Sequence, residues 1–461
     1  MENKQKRRLI EWGKNALIVL LSLSALYLLG RTQLYAGGDQ SGQNLFSSLL
    51  SFFPGPEEAE AGQPVGQWTQ GSVPRPVRMV ILSPQGSAGI QYDNAALDPY
   101  FQDLMNPLSD ALAGASAPVE TTAEAFREAL TANVPGVYLD FLGELPLPDL
   151  AAWLSGGRSS SGSLTGTARR LLLTTGADGQ VLLYYIDAKS GLYYVSQTSG
   201  ALAERLARFV ENVAPNGAAF AFESGETYAS LDPYTLLEGT SSPRPGCFSV
   251  SNPVTIDTSG SGYGAAFESL VRSLSFQPQS ASYLSGQDVV IQEGSERLRV
   301  SESGLVTYTA PDLLEDPRYA IQGLSQDPTD WELVGSAWAF VETAFQTAST
   351  PLYGEARLYV IGLEELEGGG SAVTFGYQLD GAPVYVGQEG WAARVEITGQ
   401  AITGFQLQLR SYTYLEEGPQ VLPELQATAA LEAQGLEGSE LMLYYYDDLR
   451  SDTVSADWGA F

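Results

Sequence analysis

The chain has 461 residues, 44% of them hydrophobic, and a formal net charge of −30 spread along its length. That length calls for two or three cores, and so acidic a surface argues against nucleic acid and against docking of the folded part on an anionic bilayer. Histidine is absent and Cys247 is the only cysteine, which removes Ser/His and Cys/His nucleophile pairs, nearly all zinc sites and any intrachain disulfide. No cofactor or metal is expected, and Cys247 reads as a small buried or tolerated residue.

The N-terminus opens with the basic run KQKRRLIEWGK (4–14), followed by the uncharged apolar run NALIVLLSLSALYLLG (15–30). The pattern predicts a cytoplasmic basic stretch over 1–14 and a transmembrane anchor over 15–36. Trp12, Tyr27 and the basic stems make up for a short span. A cleaved signal peptide would cut after Ala36, but Leu34 at position −3 is too large for that site. The positive-inside rule then leaves the chain from about residue 37 extracytoplasmic. Leu17, Leu20, Leu21, Ser24 and Leu28 share one helical face, with Ser22, Ser24 and Ala25 small enough for close helix approach. That face is a candidate partner contact; the competing reading has Ser22 and Ser24 bonding their own backbone.

Residues 37–76 read as a linker rich in Gly, Gln, Ser and Pro, enclosing LFSSLLSFF (45–53), a short helix for a partner, the bilayer or its own domain. A mixed domain follows over 77–237: a strand at 77–82, helices at 97–112 and 121–132, and a strand, turn and short helix over 136–154. The second helix is capped by Thr121 or Thr122. Three strands over 169–197 turn at Asp178-Gly179 and Ser190-Gly191, and an amphipathic helix spans 200–213. The tetrad LDPY at 97–100 and 231–234 reads as a recurring Asp-Pro turn start.

A middle module (238–325) and a C-terminal module (326–461) echo each other. A helix at 262–276 precedes alternating strands over 288–309. A helix at 330–345 precedes strands over 355–365, 371–387 and 392–412, and a helix (422–434) and a strand (440–448) follow. The fold class is α+β. In GYQLDGAPVYVGQEGWAARVEITGQAITGF (376–405), Asp380-Gly381 and Gly399-Gln400 read as hairpin turns and Gly404 as a bulge. Trp391 and Arg394 are left there as contact candidates.

Two acidic groups invite a catalytic reading. Asp140 and Glu144 in YLDFLGEL could act as acid and base on a glycan. On an extended strand, however, they stand ~13 Å apart, beyond the ~6.5–9.5 Å of an inverting pair. Asp447, Asp448 and Asp452 do not match a calcium loop and read as a solvated turn. No Walker, dinucleotide, G-x-S-x-G or S-x-x-K pattern is present.

The stretches RPVRMVIL, GIQYD, LDPYF and PGVYLDFLGELPLPDLAAWL, then GSERLRVSESGLVTY, then VTFGYQLDGAPVYV, ARVEITGQAITGFQLQLRSY, LPELQATAAL, LMLYYYDD and DTVSADW, carry a resemblance. In this order the chain resembles the YycH (WalH) family, with the YycI family sharing the C-terminal pattern. The resemblance implies PepSY-like C-terminal modules and a non-enzymatic, membrane-anchored regulator in a Gram-positive cell. Its partners would be a WalK-like (YycG) sensor histidine kinase of the WalK/WalR two-component system and a YycI-like protein, with cell-wall metabolism as the output. Two alternatives stay open at this point: a carboxylate-based envelope glycan hydrolase, and a PepSY-type protein that restrains a lytic enzyme.

Overall fold

The computed structural model describes residues 74–461 apart from 156–162, 177, 212, 238–244, 255, 257–262, 287, 312–316 and 348–349. The expected anchor, its contact face (Leu17, Leu20, Leu21, Ser24, Leu28) and the linker up to residue 73 lie outside the described residues. Among those described, no helix is long and apolar enough to cross a membrane.

The first sheet is built from β1 (Arg78–Ser83), β2 (Gly86–Gln91), β3 (Val119–Thr121), β4 (Gly136–Pro146), β5 (Thr167–Thr175), β6 (Val181–Asp187) and β7 (Tyr193–Thr198). Its order is β2-β1-β4-β5-β6-β7-β3, with every pairing antiparallel. Strands β1 and β4 to β7 fall where apolar runs predict them. Strand β2, GSAGIQ, has little β character of its own and forms by pairing along the whole of β1.

Helices α1 (Asn94–Ala113), α2 (Ala123–Thr131), α3 (Leu147–Leu154) and α4 (Ala203–Val210) accompany this sheet. Met79, Ile81, Val137, Leu139, Leu171 and Leu173 belong to one core with residues of α1, α3 and α4. Val80, Leu82, Tyr138 and Leu172 belong to another with Phe126 and Leu130 of α2. Burial on both faces is why these strands read as continuous apolar runs instead of alternating ones. Thr122 caps α2, its hydroxyl accepting from the Ala125 amide at 3.1 Å. Helix α1 begins three residues before its apolar pattern because Asp93 accepts from the Ala96 amide. The first LDPY therefore lies inside a helix, correcting the turn reading. The second does turn, with Asp232 accepting from the Tyr234 amide at 2.8 Å.

Strand β4 also runs further than its sequence suggests. Asp140 pairs with Arg170, but the next partners are Leu145 and Ala168, so residues 141–144 bulge from the ladder. At Gly143 the bulge meets a neighbouring strand so closely that a Cβ would sit 1.5 Å from the Val360 carbonyl oxygen. Only glycine permits that approach. Two short strands, β8 (Ala219–Phe220) and β9 (Leu236–Leu237), pair with each other.

The second sheet has thirteen strands. Its first half supplies β10 (Gly246–Ser251), β11 (Ser282–Ser285), β12 (Asp288–Glu293), β13 (Glu296–Val300) and β14 (Leu305–Thr309), with α5 (Ala265–Ser273) between β10 and β11. Helix α6 (Asp330–Phe345) follows, capped by Thr329 and Glu332, whose carboxylate accepts from the Thr329 amide at 2.8 Å. After the short pair β15 (Gln346–Thr347) and β16 (Thr350–Pro351) come β17 (Arg357–Glu365), β18 (Ser371–Leu379), β19 (Ala382–Val386), β20 (Ala393–Thr398), β21 (Ala401–Gln408) and β22 (Ser411–Glu417). Helix α7 (Glu424–Ala433), β23 (Leu441–Asp447) and β24 (Thr453–Ala460) close the chain.

The order is β11-β12-β13-β14-β21-β20-β18-β19-β23-β24-β10-β22, with β17 on the free side of β18. Only the pairing of β19 with β23 is parallel among the described strands. Both helix-and-meander units thus enter one sheet: β14 pairs with β21, and β10 sits between β24 and β22. Trp338 of α6 meets Phe375, and Phe340 meets Phe405, fixing that helix on the meander.

Within 376–405 the chemistry is that of turns. Asp380 (φ 48°) and Gly381 (φ 87°) form a two-residue hairpin, with Leu379 opposite Ala382. The slip of parity falls at Thr403: Gly404 pairs with Glu396 but Ile402 with Ile397, leaving Thr403 unpaired beside Gly404.

Candidate functional site

The polar residues brought together most tightly are three arginines and three carboxylates. Arg78 leads β1, Arg169 and Arg170 stand near the start of β5, Asp140 precedes the β4 bulge, and Glu440 precedes β23. Arg78 Nη1 donates to Asp140 Oδ2 at 2.7 Å and to Glu440 Oε1 at 2.6 Å. Arg169 forks onto Asp140 at 2.7 and 2.8 Å and reaches Glu440 at 2.8 Å. Arg170 bonds Glu440 at 2.9 Å and Asp232 at 3.1 Å, and lies over the Tyr234 ring. Asp140 and Glu440 are buried, at 1% and 3% exposure. Burial alone would raise the Asp140 carboxyl, but the Arg169 and Arg78 guanidiniums outweigh it and hold the group well below the carboxylate range. Glu440 is lowered in the same way, burial again opposed by Arg169, Arg78 and Arg170.

A carboxylate held so firmly as an anion is no proton donor. Its candidate partner, Glu144, lies on the bulge, half-buried, where desolvation raises its carboxyl. The cluster instead fastens five chain segments to one another, at Arg78, Asp140, Arg169–Arg170, Asp232 and Glu440, with Glu440 also exchanging both backbone hydrogen bonds with Phe461.

The acidic run 447–452 divides in two. Asp447 is fully buried, accepting from Arg410 Nε and Nη2 at 2.7 and 2.8 Å and from the Tyr412 hydroxyl at 2.9 Å. The expectation of a solvated turn is corrected for this residue: it is an inward position of β23. Asp448 does build the turn, accepting from the Arg450 and Ser451 amides.

Close to Arg78 in sequence, Arg75 and Val77 border a cleft of about 260 Å³ whose walls also carry Asp98, Trp338, Tyr353, Arg357 and Tyr359. Arg357 grips Asp98 through both nitrogens at 2.9 and 2.6 Å, and Arg75 joins at 3.1 Å. Burial opposes ionisation of Asp98, but Arg357 and Arg75 prevail and its carboxyl is lowered. Burial pushes the Tyr353 hydroxyl up to about 12, so it stays protonated at neutral pH. The cleft offers aromatic walls, a fixed ion pair and the Glu342 side chain, a lining that suits binding.

Of the contact candidates inside the described residues, Trp391 is part-buried just before β20. Arg394 points away from the Val395 and Ile397 side, as alternation predicts, and pairs with Glu364 and, at 3.7 Å, with Glu396. Cys247 is partly exposed, its sulfur 3.6 Å from the Ser455 hydroxyl. The buried cluster went unread in the sequence. A signal was there: an arginine inside the apolar run VRMVIL and a pair of arginines heading the apolar RRLLL are misplaced charges unless carboxylates meet them.

Fold and site together define an α+β protein with two mostly antiparallel sheets, tied by buried arginine–carboxylate contacts. The chain is similar to a solved structure, the crystal structure of YycH from Bacillus subtilis, at 13% identity, with a TM-score of 0.49 and coverage of 87% of this chain and 96% of that one. No family model matches the chain, and no curated protein matches it in sequence.

Proposed function

We propose that this chain is a single-pass, extracytoplasmic regulatory protein that acts by binding, its partner a WalK-like sensor histidine kinase that controls cell-wall metabolism. The observation that carries this reading is the ordered run of motifs resembling the YycH family, from RPVRMVIL to DTVSADW, behind a basic and apolar N-terminus. The geometry supports it from another side. Four of the charged residues inside those motifs (Arg78, Asp140, Arg410 and Asp447) are engaged in buried ion pairs and hold the fold. A YycI-like second partner and PepSY-like modules belong to the same reading.

A binding protein shifts a kinase only through different affinity for its two states. Contact between membrane helices, through Leu17, Leu20, Leu21, Ser24 and Leu28, is the proposed route. The test is co-purification of the kinase from host membranes with the full-length chain and with a version lacking residues 1–36. The kinase is expected with the first and lost with the second. Equal recovery with both would remove the helix contact from the proposal, and recovery with neither would remove the kinase.

A further inference from the structure

Strands β11 to β14 present a second, differently built surface. Cross-strand register places Tyr283 beside Val290, Val290 beside Arg299 and Arg299 beside Thr307, so these four side chains share one face. Arg297 and Thr309 pair on that same face. Together with Ser285, Ser295 and Pro311 they frame a groove of about 380 Å³. The opposite face carries Val289, Ile291, Leu298, Val300 and Val306 into the core.

Two features of the groove look outward. Arg297 is exposed and has no carboxylate partner among the described residues, while its neighbour Arg299 is half-exposed and pairs with Asp288. In a chain of net charge −30 this is a local surplus of positive charge. The groove also borders β11, the last strand of the sheet, every residue of which is exposed, including Tyr283 at 47% and Leu284 at 52%. Among the described residues its outer row of N–H and C=O groups has no strand partner, the arrangement that accepts an added strand.

We infer that this edge and face bind an extended acidic peptide segment of a partner protein. The peptide pairs its backbone with β11, and alternate side chains, carrying carboxylates, fall on the groove face beside Tyr283 and reach toward the positive charge of Arg299 and Arg297, which stand two strands further in on β13. A sugar acid would use the arginines but not the strand edge, which is why the peptide is the better fit. The inference does not depend on the partner being a kinase.

The test is fluorescence anisotropy with the full-length chain and a labelled, end-blocked Glu-Val-Glu-Val-Glu-Val peptide. A glutamine-for-glutamate counterpart and a backbone N-methylated counterpart are each expected to bind at least about tenfold more weakly. Arg297→Gln, a change at an exposed residue, should weaken the acidic peptide about fivefold and flatten its salt dependence. Equal binding by the glutamine peptide overturns the charge readout, and equal binding by the N-methylated peptide overturns strand addition. Failure of the acidic peptide to bind, or tighter binding by an oligogalacturonate of equal charge, overturns the assignment to a peptide.

Discussion

Arg169 on β5 and Arg297 on β13 both stand near the start of an antiparallel strand, yet they sit in opposite environments. Arg169 lies among Asp140 and Glu440, carboxylates that stand 29 and 271 positions away along the chain. Arg297 faces a groove and water. The difference shows how an acidic chain uses a small stock of arginine: most of the buried guanidiniums hold carboxylates in place, and Arg297 on the open face is available to a partner. Breaking a buried set should cost stability, whereas changing the open set should cost only binding.

Asp140→Asn gives the largest expected effect. It leaves the buried Arg78 and the part-buried Arg169 without half of their compensation, and loss of one member of such a set costs about 3–5 kcal/mol. Urea unfolding followed by tryptophan fluorescence reads it, and a loss under about 1 kcal/mol would mean the cluster is not the fastening argued above. The pH dependence follows in sign. The Asp140 carboxyl is held below its unfolded value. Its contribution is therefore complete above the unfolded value of about 3.9 and is lost as pH falls below it towards the folded one. Stability of the unaltered chain should fall more steeply through that window than that of Asp140→Asn.

Asp149, in the first turn of α3, is the counter-case and sharpens the comparison. It is 2% exposed, its Oδ2 meets no hydrogen-bond partner among the described residues, and burial pushes its carboxyl well above the usual value. The sign reverses: the folded state prefers the proton, so this residue favours folding at low pH and weighs against it as pH rises through the raised value. Asp149→Asn should stabilise the chain by about 1–2 kcal/mol at pH 7, and the gain should shrink towards pH 4. Equal melting temperatures at pH 7 would show that the carboxylate has a partner after all.

These two aspartates also mark how far sequence reasoning reaches. Helix α6 was legible from end to end because its apolar period and its Thr329–Glu332 box agree. The three strands over 169–197 were legible for the same kind of reason, apolar runs closed by Gly turns. Strands β10 and β24 were not, since GCFSVS and TVSADWGA acquire their state from neighbours far along the chain. Asp447 and Asp448 are adjacent and alike in sequence, yet one is buried under Arg410 and the other builds a turn. That division depends on β23 pairing in parallel with β19, a contact across some sixty positions that local pattern does not encode. The groove at Arg297 was half legible: alternation in ERLRV gave its face, but not the open edge beside it.

Arg394 gives the smallest expected effect and the finest division between the two kinds of arginine. Its side chain is about as exposed as that of Arg169, but its partner Glu364 is 57% exposed where the carboxylates that hold Arg169 are buried, so water screens the pair. Exposed pairs contribute between nothing and about 1 kcal/mol, and Arg394→Ala should stay inside that range by urea unfolding. A loss above about 2 kcal/mol would place Arg394 with Arg169 as a fastening of the fold. If stability holds but the kinase no longer co-purifies, Arg394 joins Arg297 as a contact residue, and the β20 side of the sheet becomes part of the proposed interface.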